Sequence, residues 1–485
     1  MIFVYILIGI IVLLLATVLI RTFSYKNEHA PAAKEPMTVN RDMDDAIQNM
    51  AKAVTFRTVS QPPEQPQGFT EFEKFRAFLK EAFPLVHSKF NLQLINGQSM
   101  IYTLNGTDTS LLPLLFLAHS DVVPVDDTTL GQWTKPPFSG EIENGNLYGR
   151  GTLDNKNMLI AIMQAVENLL KEGFAPARGI TLAFGHDEEL GGGEGALMMA
   201  EYFESQGIRF EAVYDEGGIA ITDAIKGVKS PLALIGVAEK GFNNFKITVT
   251  AQGGHSSMPP KHSALGQIGQ IAVNIENKQM TPILTPIVIN LLKNICDEMG
   301  FAVKMAVTNL WLFKPLLLKV LAAGDTTNAM IRTTTAVTMA KGSDAPNVLP
   351  QTAELVVNAR VLPGNTPDDM KAHLQAACTG INATVTPMLV EQPSPISEMD
   401  SKGYRKLLEI IGEVYPNAIP TPYLVLGGTD ARKYYNVCNC VYRFTPALIN
   451  DEQKGTMHAA DEHISVDNIK RMVVFFEKLI SGFDR

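Results

Sequence analysis

Cysteine is scarce in this chain. Cys296, Cys378, Cys438 and Cys440 are the only four in 485 residues, too few and too scattered for a disulfide framework. Cys438 and Cys440 alternate within an apolar run, so they read as two small residues on one strand face, not as a metal or redox pair. Clustered positive charge is also missing. The formal net charge is −9, which argues against nucleic acid as a partner. There is no internal repeat and no low-complexity tract. With 46% apolar and 19% charged residues, most of the chain has the composition of a folded protein. At this length one hydrophobic core is not enough, and at least two domains are expected.

Charge is absent altogether from Met1 to Ile20, and Arg21 ends the run. About 20 apolar residues match the hydrocarbon thickness of a bilayer. No Lys or Arg precedes the run, and the one A-x-A-like site, Ala30-Pro31-Ala32, lies well beyond it. A secretory signal has the opposite features. Residues 1–21 are therefore expected to be an uncleaved single-pass anchor in a lipid bilayer. Residues 22–40, polar and Pro-containing, read as a tether. Arg21, Lys26 and Lys34 follow the apolar run, a bias that by itself would keep the rest of the chain in the cytoplasm.

Beyond the tether, strand and helix patterns alternate. Leu111–Leu117 is a continuous apolar run, as in a strand buried on both faces. Asn157–Leu170 has helical spacing, with Gly173 placed to end the helix. Ile180–Phe184 and Ala212–Tyr214 read as further buried strands. This rhythm predicts an α/β fold with a largely parallel sheet flanked by helices. After Gly241 the pattern changes. Phe245–Thr250, Ala329–Met339 and Ala353–Leu362 alternate apolar and polar residues. A Met- and Leu-rich helical stretch, Ile283–Leu321, interrupts them, and a helix (Pro367–Cys378) and a strand (Ala383–Val390) follow. Residues 241–395 thus read as an inserted α+β lid domain, between catalytic segments 41–240 and 396–485.

Acids and histidines collect just past the ends of the buried strands, the edge where open α/β sheets bind ligands. His119-Ser120-Asp121 follows the first strand. Asp154 follows Gly149-Arg150-Gly151 and opens a helix. Glu188-Glu189 follows Ile180–Phe184, and Asp215 follows Ala212–Tyr214. His458 follows the apolar run Cys438–Phe444. Two imidazoles with several carboxylates form a mixed N/O ligand set suited to zinc, with manganese or cobalt as alternatives. Five such residues exceed the needs of one tetrahedral ion and suit two ions sharing a carboxylate. Any one of these residues alone would read as a cap, a turn or a solvated charge.

His119-Ser120-Asp121-Val122-Val123-Pro124, Gly149-Arg150-Gly151-Thr152-Leu153-Asp154, His186-Asp187-Glu188-Glu189, Gly253-Gly254-His255-Ser256 and Asn358-Ala359-Arg360 together resemble the co-catalytic zinc exopeptidases and aminoacylases. The long stretch between Gly254 and Asn347 is similar to the branch holding carboxypeptidase S and the N-acyl amino acid hydrolase/synthase enzymes. The resemblance runs from about Asp42 to the C-terminus. It implies that His119 and Asp215 hold one zinc, Glu189 and His458 the other, and that Asp154 bridges them. It implies Asp121 as the carboxylate that orients His119, and Glu188 as the general base. His255 would stabilise the oxyanion. Asn347 and Arg360 would bind substrate, the guanidinium matching a carboxylate at two points. Gly428 and Thr429, in Gly427-Gly428-Thr429-Asp430, resemble a loop near the substrate. His29, His87, His186, His262, His373 and His463 read as structural or exposed.

The expected activity is hydrolysis of an amide bond in a short peptide or N-acyl amino acid with a free carboxylate. Dedicated N-fatty-acyl amino acid hydrolysis and synthesis is the alternative within enzymes. A non-catalytic metal-binding receptor is the alternative outside them, and the intact Glu188 argues against it. The resemblance leaves a homodimer open, since relatives occur as monomers and as dimers formed through the smaller domain. It also places the catalytic part on the non-cytoplasmic face, against the flanking charge.

Overall fold

Leu114, Phe116 and Ala118 pack into one apolar core, and Leu115 and Leu117 pack into another. Their strand is buried on both faces, which is why its sequence does not alternate. This strand lies in the eight-stranded sheet around which the computed structural model, describing residues 1–62, 65 and 68–484, is built. In chain order the strands of the two main sheets are β1 Asn91–Ile95, β2 Ser99–Leu104, β3 Leu114–His119, β4 Ile180–Gly185, β5 Ala212–Ile221, β6 Leu232–Glu239, β7 Gly241–Thr250, β8 Thr334–Lys341, β9 Thr352–Val361, β10 Ala383–Val390, β11 Ile419–Val425 and β12 Val441–Ile449.

The large sheet runs β1-β2-β4-β3-β5-β12-β6-β11. The pairs β4–β3, β3–β5, β5–β12 and β6–β11 are parallel. The hairpin β1–β2, the β2–β4 pair and the β12–β6 contact are antiparallel. The sheet is therefore mixed and largely parallel, with helices on both faces. Lys156–Lys171 and Val466–Gly482 cover one face and Ala196–Ser205 the other. The second sheet, β8-β9-β7-β10, is antiparallel. One face of β7 and β9 is buried under the helices Ala264–Asn277 and Pro367–Ala377. Their alternating burial matches the alternating sequence.

Among the departures from the sequence expectation are two stretches of the inserted segment. The strand expected over Ala329–Met339 begins only at Thr334, because Asp325–Ile331 is helical and its Met330 and Ile331 are buried. The helical stretch Ile283–Leu321 divides into Pro286–Ile295, Phe301–Thr308 and Leu310–Leu321. Its buried residues Val288, Leu291 and Ile295 join Leu232 of β6 and Ile419 of β11 in one cluster, so this stretch packs on the edge of the large sheet.

The N-terminal helix, Ile2–Ser24, is long and apolar enough to cross a membrane, with mean hydropathy 3.1 over its most apolar window. Its last turns meet the rest of the chain, where Val18 and Thr22 are buried.

Candidate metal centre

The ends of β3, β4 and β5 bring their acids and imidazoles to one edge of the large sheet. Asp154 lies between two of them. Its Oδ1 is 2.9 Å from His119 Nε2, and its Oδ2 is 2.7 Å from His458 Nε2. His119 Nε2 also lies 3.1 Å from Glu216 Oε1, and His458 Nε2 lies 3.3 Å from Glu189 Oε2. Two groups result, His119–Asp154–Glu216 and Asp154–Glu189–His458, each able to converge on a metal ion.

Glu216 is the residue the sequence reading missed. Asp215 is in neither group, and this corrects its expected place beside His119. The strand was expected to stop at Tyr214, but β5 continues to Ile221. Within a strand, neighbouring side chains point to opposite faces, so only one of the two acids can meet His119. Asp215 is buried and instead accepts the backbone N–H of Ala431 at 2.8 Å. The adjacent Glu216 in Asp215-Glu216-Gly217 was the available signal.

The surrounding chain holds these side chains in place. His119 Nδ1 is 3.0 Å from the carbonyl oxygen of Asp121 and 3.3 Å from its carboxylate. The Asp121 carboxylate also accepts the N–H groups of Glu188 and Glu189, at 3.3 and 3.1 Å. One carboxylate thus aligns both the β3 end and the β4 end. Glu462 does the same for Asp154. It is fully buried and takes N–H groups from Gly151, Leu153 and Asp154, plus the Arg150 guanidinium at 2.6 Å. Buried carboxylates that orient ligands in this way are the usual support of a metal site.

The donors fit a pair of divalent ions. Each group mixes imidazole nitrogen with carboxylate oxygen, and Glu189 Oε1 is a buried oxygen with no hydrogen-bond partner among the described residues. The electrostatics agree. Burial opposes protonation of His119, yet Glu216, Asp121 and Asp154 around it hold its pKa well above 6.5. Hydrogen bonds to Asp154 and Glu189 push His458 up to about 10. Burial, with Asp154 beside it, pushes Glu216 up to about 7. Burial raises Glu188 well above the carboxylate range, and Glu216, Asp430 and Asp154 add to it. So many acids crowded out of water need positive charge, which a bound cation supplies.

The model for Peptidase family M20/M25/M40 matches residues 115–482. The chain belongs to this family. It is similar to the probable carboxypeptidase S-like 2 of Dictyostelium discoideum, with 36% identity over 91% of this chain and 85% of the relative. The N-fatty-acyl-amino acid synthase/hydrolase PM20D1 of Xenopus tropicalis is 33% identical over 99% of this chain and 94% of its own. In fold it resembles an M20 family metallo-carboxypeptidase from Sulfolobus solfataricus, with TM-score 0.65, 18% identity, and 91% and 99% of the two chains covered. This M20 peptidase is thus a metallopeptidase whose acids and imidazoles are positioned for two metals.

The other expected site residues of the M20 chain fall into two places. His255 and Asn347 are exposed neighbours in the inserted segment, where Ser256 N–H donates to the Asn347 carbonyl at 3.1 Å. Among the described residues, no hydrogen bond or ion pair joins either to the two acid–imidazole groups. Arg360, on β9, is half-buried with its guanidinium 4.4 Å from the centre of the Phe242 ring. Burial and the nearby Arg432 lower its pKa. Arg432 pairs with Glu391 and donates to the Lys240 carbonyl at 2.9 Å, so cations outnumber acids here. Thr429 is buried and donates to the Glu239 carboxylate through both its N–H and its hydroxyl, at 3.2 and 2.7 Å. Glu239 also pairs with the fully buried Arg443. Gly428 is exposed beside it, where a Cβ would come within 3.3 Å of the Arg432 guanidinium. The 427–432 loop therefore joins the Asp215 side of the site, through Ala431, to the basic cluster around Arg360.

Proposed function

We propose that this M20 chain is a di-zinc amide hydrolase acting on N-acyl amino acids or short peptides with a free carboxylate. The observation that carries this is the Asp154 carboxylate placed between His119 and His458, at 2.9 and 2.7 Å. In this reading His119, Asp154 and Glu216 hold one ion, and Asp154, Glu189 and His458 the other. Zinc suits the mixed N/O donors, with manganese or cobalt as substitutes. A bound pair supplies Lewis acidity and brings the pKa of water towards about 7.

Glu188 is the proton carrier. It sits between Asp187 and the metal-holding Glu189, placed to take a proton from the attacking water. It then returns that proton to the leaving nitrogen. Asp121 keeps Glu188 and Glu189 in register through their N–H groups. Arg360, backed by Phe242, receives the substrate carboxylate as a two-point partner. His255 and Asn347 approach from the inserted segment. Likeness to relatives named carboxypeptidase S-like and N-fatty-acyl-amino acid synthase/hydrolase supports both short peptides and acylated amino acids as substrates.

The helix Ile2–Ser24 is the anchor in this reading, with the catalytic part on the non-cytoplasmic face. Protease added to intact cells or spheroplasts should remove the catalytic part, and protection until lysis would reverse the orientation. Activity is tested by paired substrates, each as free acid and as C-terminal amide, across N-acyl amino acids and dipeptides. Cleavage of the free acids alone is expected. Equal cleavage of the amides would end the Arg360 assignment.

A further inference from the structure

Let the N-terminal helix Ile2–Ser24 be α1, and Phe301–Thr308 and Leu310–Leu321 be α2 and α3. Before Val18, α1 is exposed apart from the half-buried Leu14. Its end docks on α2 and the start of α3. The Asn309 amide donates to the Val18 carbonyl at 3.2 Å and to the Thr22 hydroxyl at 3.1 Å. Phe23 and Phe301 pack with ring centres 5.4 Å apart, and Lys304 donates to the Tyr25 carbonyl at 3.1 Å.

The outer face of α3, continued by Phe301 at the start of α2, is largely apolar and uncovered, with Lys314 and Lys319 exposed among its apolar residues. Trp311 is 55% exposed, Leu316 56% and Val320 62%, with Phe301 and Leu312 also exposed. Leu312, Leu316 and Val320 are spaced by four and share one face of α3. The opposite side, with Leu317 and Val307, is buried against the body. Isolated apolar residues on a surface need no explanation, but a contiguous face of them does. The segment Phe301–Leu321 carries Lys304, Lys314 and Lys319 and no acid.

We propose that α2 and α3 form a second membrane contact, lying in the lipid interface beside α1. The argument is one of depth, and it rests on reading α1 as a retained span. At 1.5 Å per residue, α1 is about 35 Å long, enough for a hydrocarbon core of about 30 Å. The docking residues Val18 to Tyr25 occupy its last 10 Å or so. If α1 crosses the bilayer, α2 and α3 sit at the edge of the hydrocarbon. An interfacial helix is buried by about 5–10 Å there. Its composition also fits, with Trp311 at the interface and the exposed Lys314 and Lys319 leaving their ammonium groups among anionic headgroups, while Lys304 is held inside by Asp297 at 2.7 Å. The consequence is a fixed attitude: the catalytic body lies against the lipid surface, where acylated amino acids concentrate, and does not swing on a loose tether.

The chain has only two tryptophans, Trp133 and Trp311, so the contact can be read directly. Full-length protein is reconstituted in phosphatidylcholine/phosphatidylserine vesicles, with and without brominated acyl chains. Bromine should quench part of the emission, and Trp311→Phe should abolish the bromine-sensitive part. Trp311 emission indifferent to bromine, in protein that floats with the vesicles, would overturn the proposal. Bromine-insensitive Trp311 that is also shielded from acrylamide would assign the face to a second copy of the chain, which overturns it as well. The N-terminus of the membrane-recovered protein is sequenced separately. Removal of α1 would sink the anchor reading alone, and the processed protein is then floated with the same vesicles. It should bind, and Leu316→Ser or Val320→Ser should each weaken partitioning roughly tenfold. Failure of the processed protein to float would overturn the membrane contact independently of the anchor.

Discussion

The backbone N–H of Asp154 donates to the buried carboxylate of Glu462, at 3.2 Å across 308 positions of sequence. The carboxylate that lies between two imidazoles is thus aimed by a second carboxylate, which reaches no imidazole in either group and is itself neutralised by Arg150. Loss of a hydrogen-bond partner behind a metal ligand typically costs 10–100-fold in affinity or activity. Glu462→Gln should therefore lower metal affinity by about that much. Metal titration followed by activity of the fully loaded variant checks this, and unchanged affinity would reduce Glu462 to a structural residue.

Glu216 and Asp215 make opposite predictions although they are adjacent. Glu216→Gln should weaken one ion by more than the roughly 10–100-fold expected for losing an outer partner, and Asp215→Asn by no more than that. Metal stoichiometry by elemental analysis after equilibrium dialysis separates them. The reverse order would return Asp215 to the ligand set.

Replacing Glu188 by Gln keeps its shape and removes the base. General-base catalysis contributes about 10²–10⁴-fold, so kcat should fall that far while both ions stay bound. Metal analysis of the same sample makes the result decisive. Near-normal turnover would place the base elsewhere.

Arg360→Lys should raise KM more than it lowers kcat, because an ammonium cannot match a carboxylate at two points. Weak competitive inhibition by the matched amides, which have no carboxylate to lose, should be unchanged by the substitution. Steady-state kinetics on matched acid and amide pairs measure both.

The deep β3 run was legible because burial on both faces leaves a strand no polar position. The acids and imidazoles beyond such runs were legible because a parallel sheet puts its strand ends at one edge. His119, Asp154, Glu189 and His458 were all visible in the sequence, and the structure brings them into two groups that share Asp154. Arg443 was not. A full charge inside an apolar strand gives no sign of its partner, and Glu239 lies 204 residues away.

The sequence alone determined which kinds of donor gather and roughly where, together with an apolar helix ahead of a folded body. Those follow from side-chain chemistry and local periodicity. Only the tertiary structure decided between Asp215 and Glu216, since neighbouring residues of a strand take opposite faces and only packing shows which face meets His119. It alone paired Glu462 with the Asp154 loop, and it alone laid Phe301–Leu321 against the end of the N-terminal helix. Such contacts join segments hundreds of residues apart, and no local pattern encodes a partner that only chain folding brings near.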